Sequence, residues 1–154
     1  MGNNNPPVGE IAKTPRCADK KETFKAGNPQ IERFSNRLRE NIISKMKEHI
    51  EDAKRHALQE DFNGVWYYLS RAGECARSID TIISRDDMRD VMIIAAEKSL
   101  EKAYRSFSDG DPEMAKQYLA QTKHCAITAN VDMDARVTLL EGEIERSQRP
   151  SEMR

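Results

Sequence analysis

Val65, Leu69, Ala72, Ala76, Ile79 and Ile83 recur at steps of four and three, which puts them on one face of a helix. Fifty positions later, Ala115, Leu119, Thr122, Ala126, Ala129 and Met133 trace the same face again. Laid without gaps on residues 92–130, residues 42–80 share Ile43/Ile93, Glu51/Glu101, Ala53/Ala103, Arg55/Arg105, Asp61/Asp111, Tyr68/Tyr118, Leu69/Leu119, Cys75/Cys125 and Ala76/Ala126. The matches keep one helical phase, so the pattern predicts a duplicated helix–turn–helix unit. Two stacked units bury what one cannot.

Upstream, Ile31, Phe34, Leu38, Ile42, Met46, Ile50, Ala53 and Ala57 form a single long stripe. It predicts a first helix to about Gln59, capped by Asn28 with Pro29 at the first helical position. Asp61 is the natural cap of the second helix, with Gly64 a weak spot in its first turn, and this helix is expected to run to about Ser84. Ser84-Arg85-Asp86-Asp87 resembles a capping box and opens a third helix through Met88, Val91, Met92, Ala95, Leu100, Ala103 and Phe107. Ser108-Asp109-Gly110-Asp111-Pro112 ends it and starts a fourth, to about Ala129. Asp132 or Asp134 opens a shorter fifth helix with Val137, Leu140 and Ile144 on its face. No segment alternates as a strand does. The predicted fold is all-α: two tandem antiparallel helical hairpins plus a shorter C-terminal helix.

Residues 1–27 hold Pro6, Pro7, Pro15, Gly2, Gly9, Gly27 and an Asn run without apolar periodicity, and are expected to form a flexible tail. Residues 28–147 then make one helical domain: hairpin 1 over about 30–84, hairpin 2 over about 85–130, and a terminal helix over about 133–147. Residues 148–154 are expected to fray.

At the turns the pattern resembles a tetratricopeptide-type hairpin. Ala103, Gly110-Asp111, Ala115 and Leu119 carry the likeness in one unit, and Ala53, Asp61, Val65, Leu69 and Ala72 in the other. It covers roughly residues 50–76 and 100–126. The period is fifty instead of that family's thirty-four, and the family's Trp/Leu/Gly/Tyr set on the first helix is missing. A microtubule-interacting-and-trafficking-like bundle or a plain four-helix bundle has similar spacing. The resemblance implies a protein-interaction scaffold.

Charged residues make up 33% of the 154 and hydrophobic ones 38%, with a net charge of -1. That balance gives no global pull toward nucleic acid or anionic membrane. Its distribution is uneven: residues 1–59 carry 12 Lys/Arg against 8 Asp/Glu, or +4, and residues 60–154 carry 13 against 18, or -5. Cys17, Cys75 and Cys125 are an odd number, and Met1 to Pro7 has neither a basic nor an apolar leader region. Gly2 suits myristoylation, but Pro6 stands where Ser or Thr is needed. A reduced, intracellular, cytoplasmic protein with no membrane anchor is the expectation.

Phe62, Trp66, Leu69, Gly73 and Ala76 form a second stripe beside the main one on the second helix. Gly73 there lets another helix or a peptide come close. Either the first or the third helix covers this face, or it is an aromatic patch for a partner. In the second unit Lys116 and Lys123 replace Trp66 and Gly73, so that face is expected to be wet. Tyr67 and Arg71 point outward with Glu74. The partner-binding set is Phe62, Trp66, Tyr67, Arg71 and Gly73.

His49, Asp52 and His56 share one helix face, and His124-Cys125 is the other source of ligands. Lacking Cys-x-x-Cys and Glu-x-x-His, the chain is expected to hold no metal and no cofactor. Cys75 and Cys125 read as small core residues. Neither a phosphate-cradling glycine loop nor a nucleophile elbow occurs, so no catalytic residues are assigned. Arg33, Arg37, Arg39, Lys45, Lys47, Lys54 and Arg55 decorate the first helix, but spread around it between Glu40, Glu48 and Glu51, where phosphate binding favours a contiguous strip. The expected function is non-enzymatic: a scaffold or accessory protein binding another protein or itself as a homodimer, including within a viral or mobile-element assembly. The alternative is a nucleic-acid-binding regulator using the basic first helix.

Overall fold

The structure is a computed structural model and describes residues 28–150. The tail expected over 1–27 and the end of the chain from 151 lie outside the described residues. Five helices follow one another: α1 (Pro29–Leu58), α2 (Phe62–Ser78), α3 (Arg85–Ser108), α4 (Pro112–Ala129) and α5 (Asp134–Ser147). The fold is all-α, two hairpins and a shorter last helix. Two compact units divide the chain between Ile42 and Ile43, so the first half of α1 belongs to one and its second half, with α2–α5, to the other.

The helix starts follow from their caps. Asn28 Oδ1 accepts the Gln30 N–H at 2.9 Å, and Ser84 Oγ accepts that of Asp87 at 3.0 Å. Asp61 and Asp111 accept from Gly64 and Met114 at 3.1 and 3.0 Å. Each occupies an otherwise orphan N–H of a first turn. The helix ends share a second device, a residue in the left-handed region: Glu60, Asp80, Gly110 and Asn130. In each case the next residue donates to a carbonyl five positions back, as Asp61 does to His56, Thr81 to Ala76, Asp111 to Ser106 and Val131 to Ala126, all at 2.9 Å. This turn at Asp80 stops α2 at Ser78, short of the expected Ser84; Ile83 still packs on the core, from the loop.

The repeat reappears in the turns and in the core. Glu60 and Gly110, like Asp80 and Asn130, stand fifty residues apart. Ile50/Leu100, Ala53/Ala103, Val65/Ala115, Leu69/Leu119, Ala72/Thr122 and Ala76/Ala126 are buried in both members of each pair. Within the second unit the helices form two layers. Phe62 and Trp66 of α2 touch Tyr118 and His124 of α4, while Glu97 of α3 receives two bonds from Arg136 of α5, at 3.1 and 2.9 Å. The second half of α1, α3 and α5 thus make one layer, and α2 and α4 the other. α4 packs against both α3 and α5, and α5 closes the core with Val137, Leu140 and Ile144.

Candidate interaction surface

On the secondary stripe of α2, Phe62 and Trp66 lie against α4, a neighbour the sequence did not suggest. The layered arrangement sets α2 beside α4. Phe62, expected to face a partner, is buried with its ring 6.2 Å from Tyr118. Trp66 lies edge-on to His124 at 5.8 Å and keeps 37% of its surface. Gly73 is half-buried, yet a Cβ there would meet only the Arg77 guanidinium at 3.5 Å. No close approach among the described residues explains that glycine. Tyr67 and Arg71 are exposed as expected, with the guanidinium 5.9 Å above the Tyr67 ring. Lys116 and Lys123 are exposed, and Lys123 pairs with Glu141 of α5 at 2.5 Å.

Gly64, a weak spot by propensity, is required by packing. A Cβ there would stand 2.5 Å from His56 Nδ1 and 2.7 Å from Asp61 Oδ2. Those two atoms are 2.8 Å apart, and Tyr68 lies against both His56 and His49, ring centroids 5.0 and 6.0 Å away. The Gly64 N–H and then His56 hold the Asp61 carboxyl below its usual range. This corner also removes the metal-ligand face considered for His49, Asp52 and His56: His49 is buried beside Tyr68, Asp52 takes Arg55 at 2.7 Å, and His56 takes Asp61. Among the described residues no group of three or more His, Cys, Asp or Glu gathers. Cys75 is half-buried; Cys125 is buried, which pushes its thiol up to about 11 and leaves it unreactive as a nucleophile.

The cations of α1 do not form a strip. Lys45 pairs with Glu48 at 3.4 Å, Lys54 with Glu51 at 3.1 Å, and Arg55 with Asp52. Arg33, Arg37, Arg39 and Lys47 are exposed.

The feature that sequence reasoning missed lies between those arginines. The long apolar stripe of α1 is one continuous pattern in the sequence. It is buried at Met46, Ile50, Ala53 and Ala57, but Ile31, Phe34 and Leu38 are 41%, 60% and 47% exposed. Two grooves also escaped notice. One of about 770 Å³ runs beneath the exposed Ile82 and Ile127, over Ile83 and Met88. The other, about 400 Å³, lies between α4 and α5. No helix among the described residues is long and apolar enough to cross a membrane. Compared with protein-family models, with curated proteins and with solved structures, the chain matches none.

Proposed function

We propose that this chain is a non-enzymatic protein-interaction module: a short array of tetratricopeptide-like helical hairpins acting as a scaffold or accessory subunit. The observation that carries the reading is the exposed row Ile31, Phe34 and Leu38 on a helix whose stripe is buried further along, at Met46, Ile50, Ala53 and Ala57. Three large apolar side chains in a row on one helix face are a contiguous surface, unlike singly scattered ones, and mark a site for another helix or protein surface. Trp66, Tyr67 and Arg71, residue types enriched at binding hot spots, add an exposed patch on α2. The alternative of nucleic-acid binding through α1 draws little support from a helix whose cations alternate with Glu40, Glu48 and Glu51 and include three, Lys45, Lys54 and Arg55, that pair within it.

The test is capture by the immobilised full chain from its native lysate, with nuclease and without. A stoichiometric protein that survives nuclease, and is lost when Phe34→Asp or Trp66→Ala replaces the native residue in a folded chain, is the expected result. Material that vanishes with nuclease, or capture indifferent to both substitutions, would overturn the reading.

A further inference from the structure

Each second-layer helix rides on the first-layer helix that precedes it in sequence and on the one that follows. α4 lies on α3 and α5, and α2 on α1 and α3. Among the described residues no helix follows α5. The place that a sixth helix would take, on α5 and beside α4, is the groove of about 400 Å³ between those two. Leu119 and Ile144 reach its floor, Lys116, Glu141 and Glu145 stand on its rim, and Gly142 leaves a dent in its α5 wall. A Cβ on Gly142 would meet only the Arg146 guanidinium, at 3.4 Å. A glycine inside a helix costs about 1 kcal/mol relative to alanine, and no contact among the described residues requires this one.

We propose that the occupant of this groove is the first half of α1 from a second copy of the chain. This deepens the interaction reading given above and rests on it. The two surfaces are alike in length and opposite in charge. Residues 29–42 and α5 are both 14 residues long, about 21 Å of helix. Residues 29–42 present Ile31, Phe34 and Leu38 and carry three arginines against two glutamates, or +1; α5 carries four acids against two arginines, or -2. Phe34, the most exposed of the three, fills the dent at Gly142, and Arg33 and Arg37 lie toward Glu141 and Glu145. A helix of this length in a two-helix groove buries on the order of 1,200 Å² in all, the low end of specific interfaces, and the association to look for is about micromolar. The contact joins two different surfaces and is heterologous.

That property supplies the test. The purified full chain is followed by sedimentation equilibrium beside two variants, Phe34→Asp and Gly142→Gln. One alters an exposed side chain and the other adds a side chain where there is space, so both keep the native circular dichroism; the urea midpoint stays close to native for Phe34→Asp and rises for Gly142→Gln, which removes a helix glycine. Expected are concentration-dependent association of the native chain, at least tenfold weaker association of each variant alone, and a one-to-one complex when the variants are mixed. The mixture recovers binding because each variant retains the surface that the other lost. Association that Gly142→Gln leaves intact, or a mixture that stays monomeric, would overturn the proposal. So would a native chain that remains monomeric to about 0.5 mM, far above a micromolar Kd. If that monomer still loses lysate capture on Phe34→Asp, the second copy is the wrong partner while the interaction reading stands.

Discussion

Gly64 and Gly73 have the same propensity cost and opposite roles. The Gly64 backbone sits where His56 and Asp61 meet, and a methyl group would push into both. Gly64→Ala therefore breaks the His56–Asp61 contact and disturbs the cap of α2, outweighing the gain in helix propensity. Gly73 has ordinary contact distance in front of it, so Gly73→Ala gains about 1 kcal/mol from reduced unfolded-state freedom and better helix propensity. Urea denaturation of the two variants, with native midpoint between them, is the expected outcome; equal shifts would remove this assignment. A similar contrast holds between the hairpins at a buried polar position. Ser99 Oγ and Thr122 Oγ1 bond each other at 2.8 Å, and each also has a carbonyl in its own helix. The equivalents in the first hairpin are His49 and Ala72, and there His49 Nδ1 is buried with no protein partner.

At the scale of the helix, α1 is two objects on one continuous pattern. Ile50 is 2% exposed, and Ile50→Ala is expected to cost about 2–4 kcal/mol through lost transfer energy and the cavity left behind. Phe34→Asp is expected to stay within about 0.5 kcal/mol of the native chain, as an exposed substitution does. Chemical denaturation of the pair decides it: a large loss for Phe34→Asp would place that ring in a core. This difference was not legible in the sequence, because steps of three and four report which side chains share a face and not what lies opposite them. Helix starts were legible, since Asn28, Asp61, Ser84 and Asp111 are capping types at fixed distances from an apolar run. The end of α2 was not. Three of the four left-handed helix ends use Glu60, Asp80 and Asn130, and only Gly110 carries the usual glycine signal. The stripe of Phe62 and Trp66 was legible as a face, but its contact with α4 was not, because which helix becomes a neighbour depends on how hairpins stack, a non-local choice.

For the whole molecule, the joints between successive elements are partly electrostatic. Arg105 of α3 reaches back to Glu60 in the turn before α2, and Arg136 of α5 holds Glu97 of α3. Both glutamates are kept below their usual range, chiefly by the arginine hydrogen bond. A folded pKa below the unfolded one means these groups lend stability fully above the unfolded carboxylate values. That contribution is lost as pH falls through the folded ones, below about pH 4. The stability difference between native chain and Glu97→Gln is expected to be constant above about pH 5 and to close toward pH 3. A difference that persists unchanged at pH 3 would show that Arg136 is not its cause.

The Glu60–Arg105 joint also has a direction. Arg55, the counterpart of Arg105, meets no such glutamate among the described residues and turns to Asp52 in its own helix. Gly110, the counterpart of Glu60, offers no carboxylate to a later one. A block from residue 60 to residue 109 thus begins with the acceptor and contains its donor. Inserted in tandem, every copy would bring a complete joint, whereas a unit added at either end would bring half of one. Length in such a molecule is an adjustable quantity, counted in steps of fifty residues and extended from the middle.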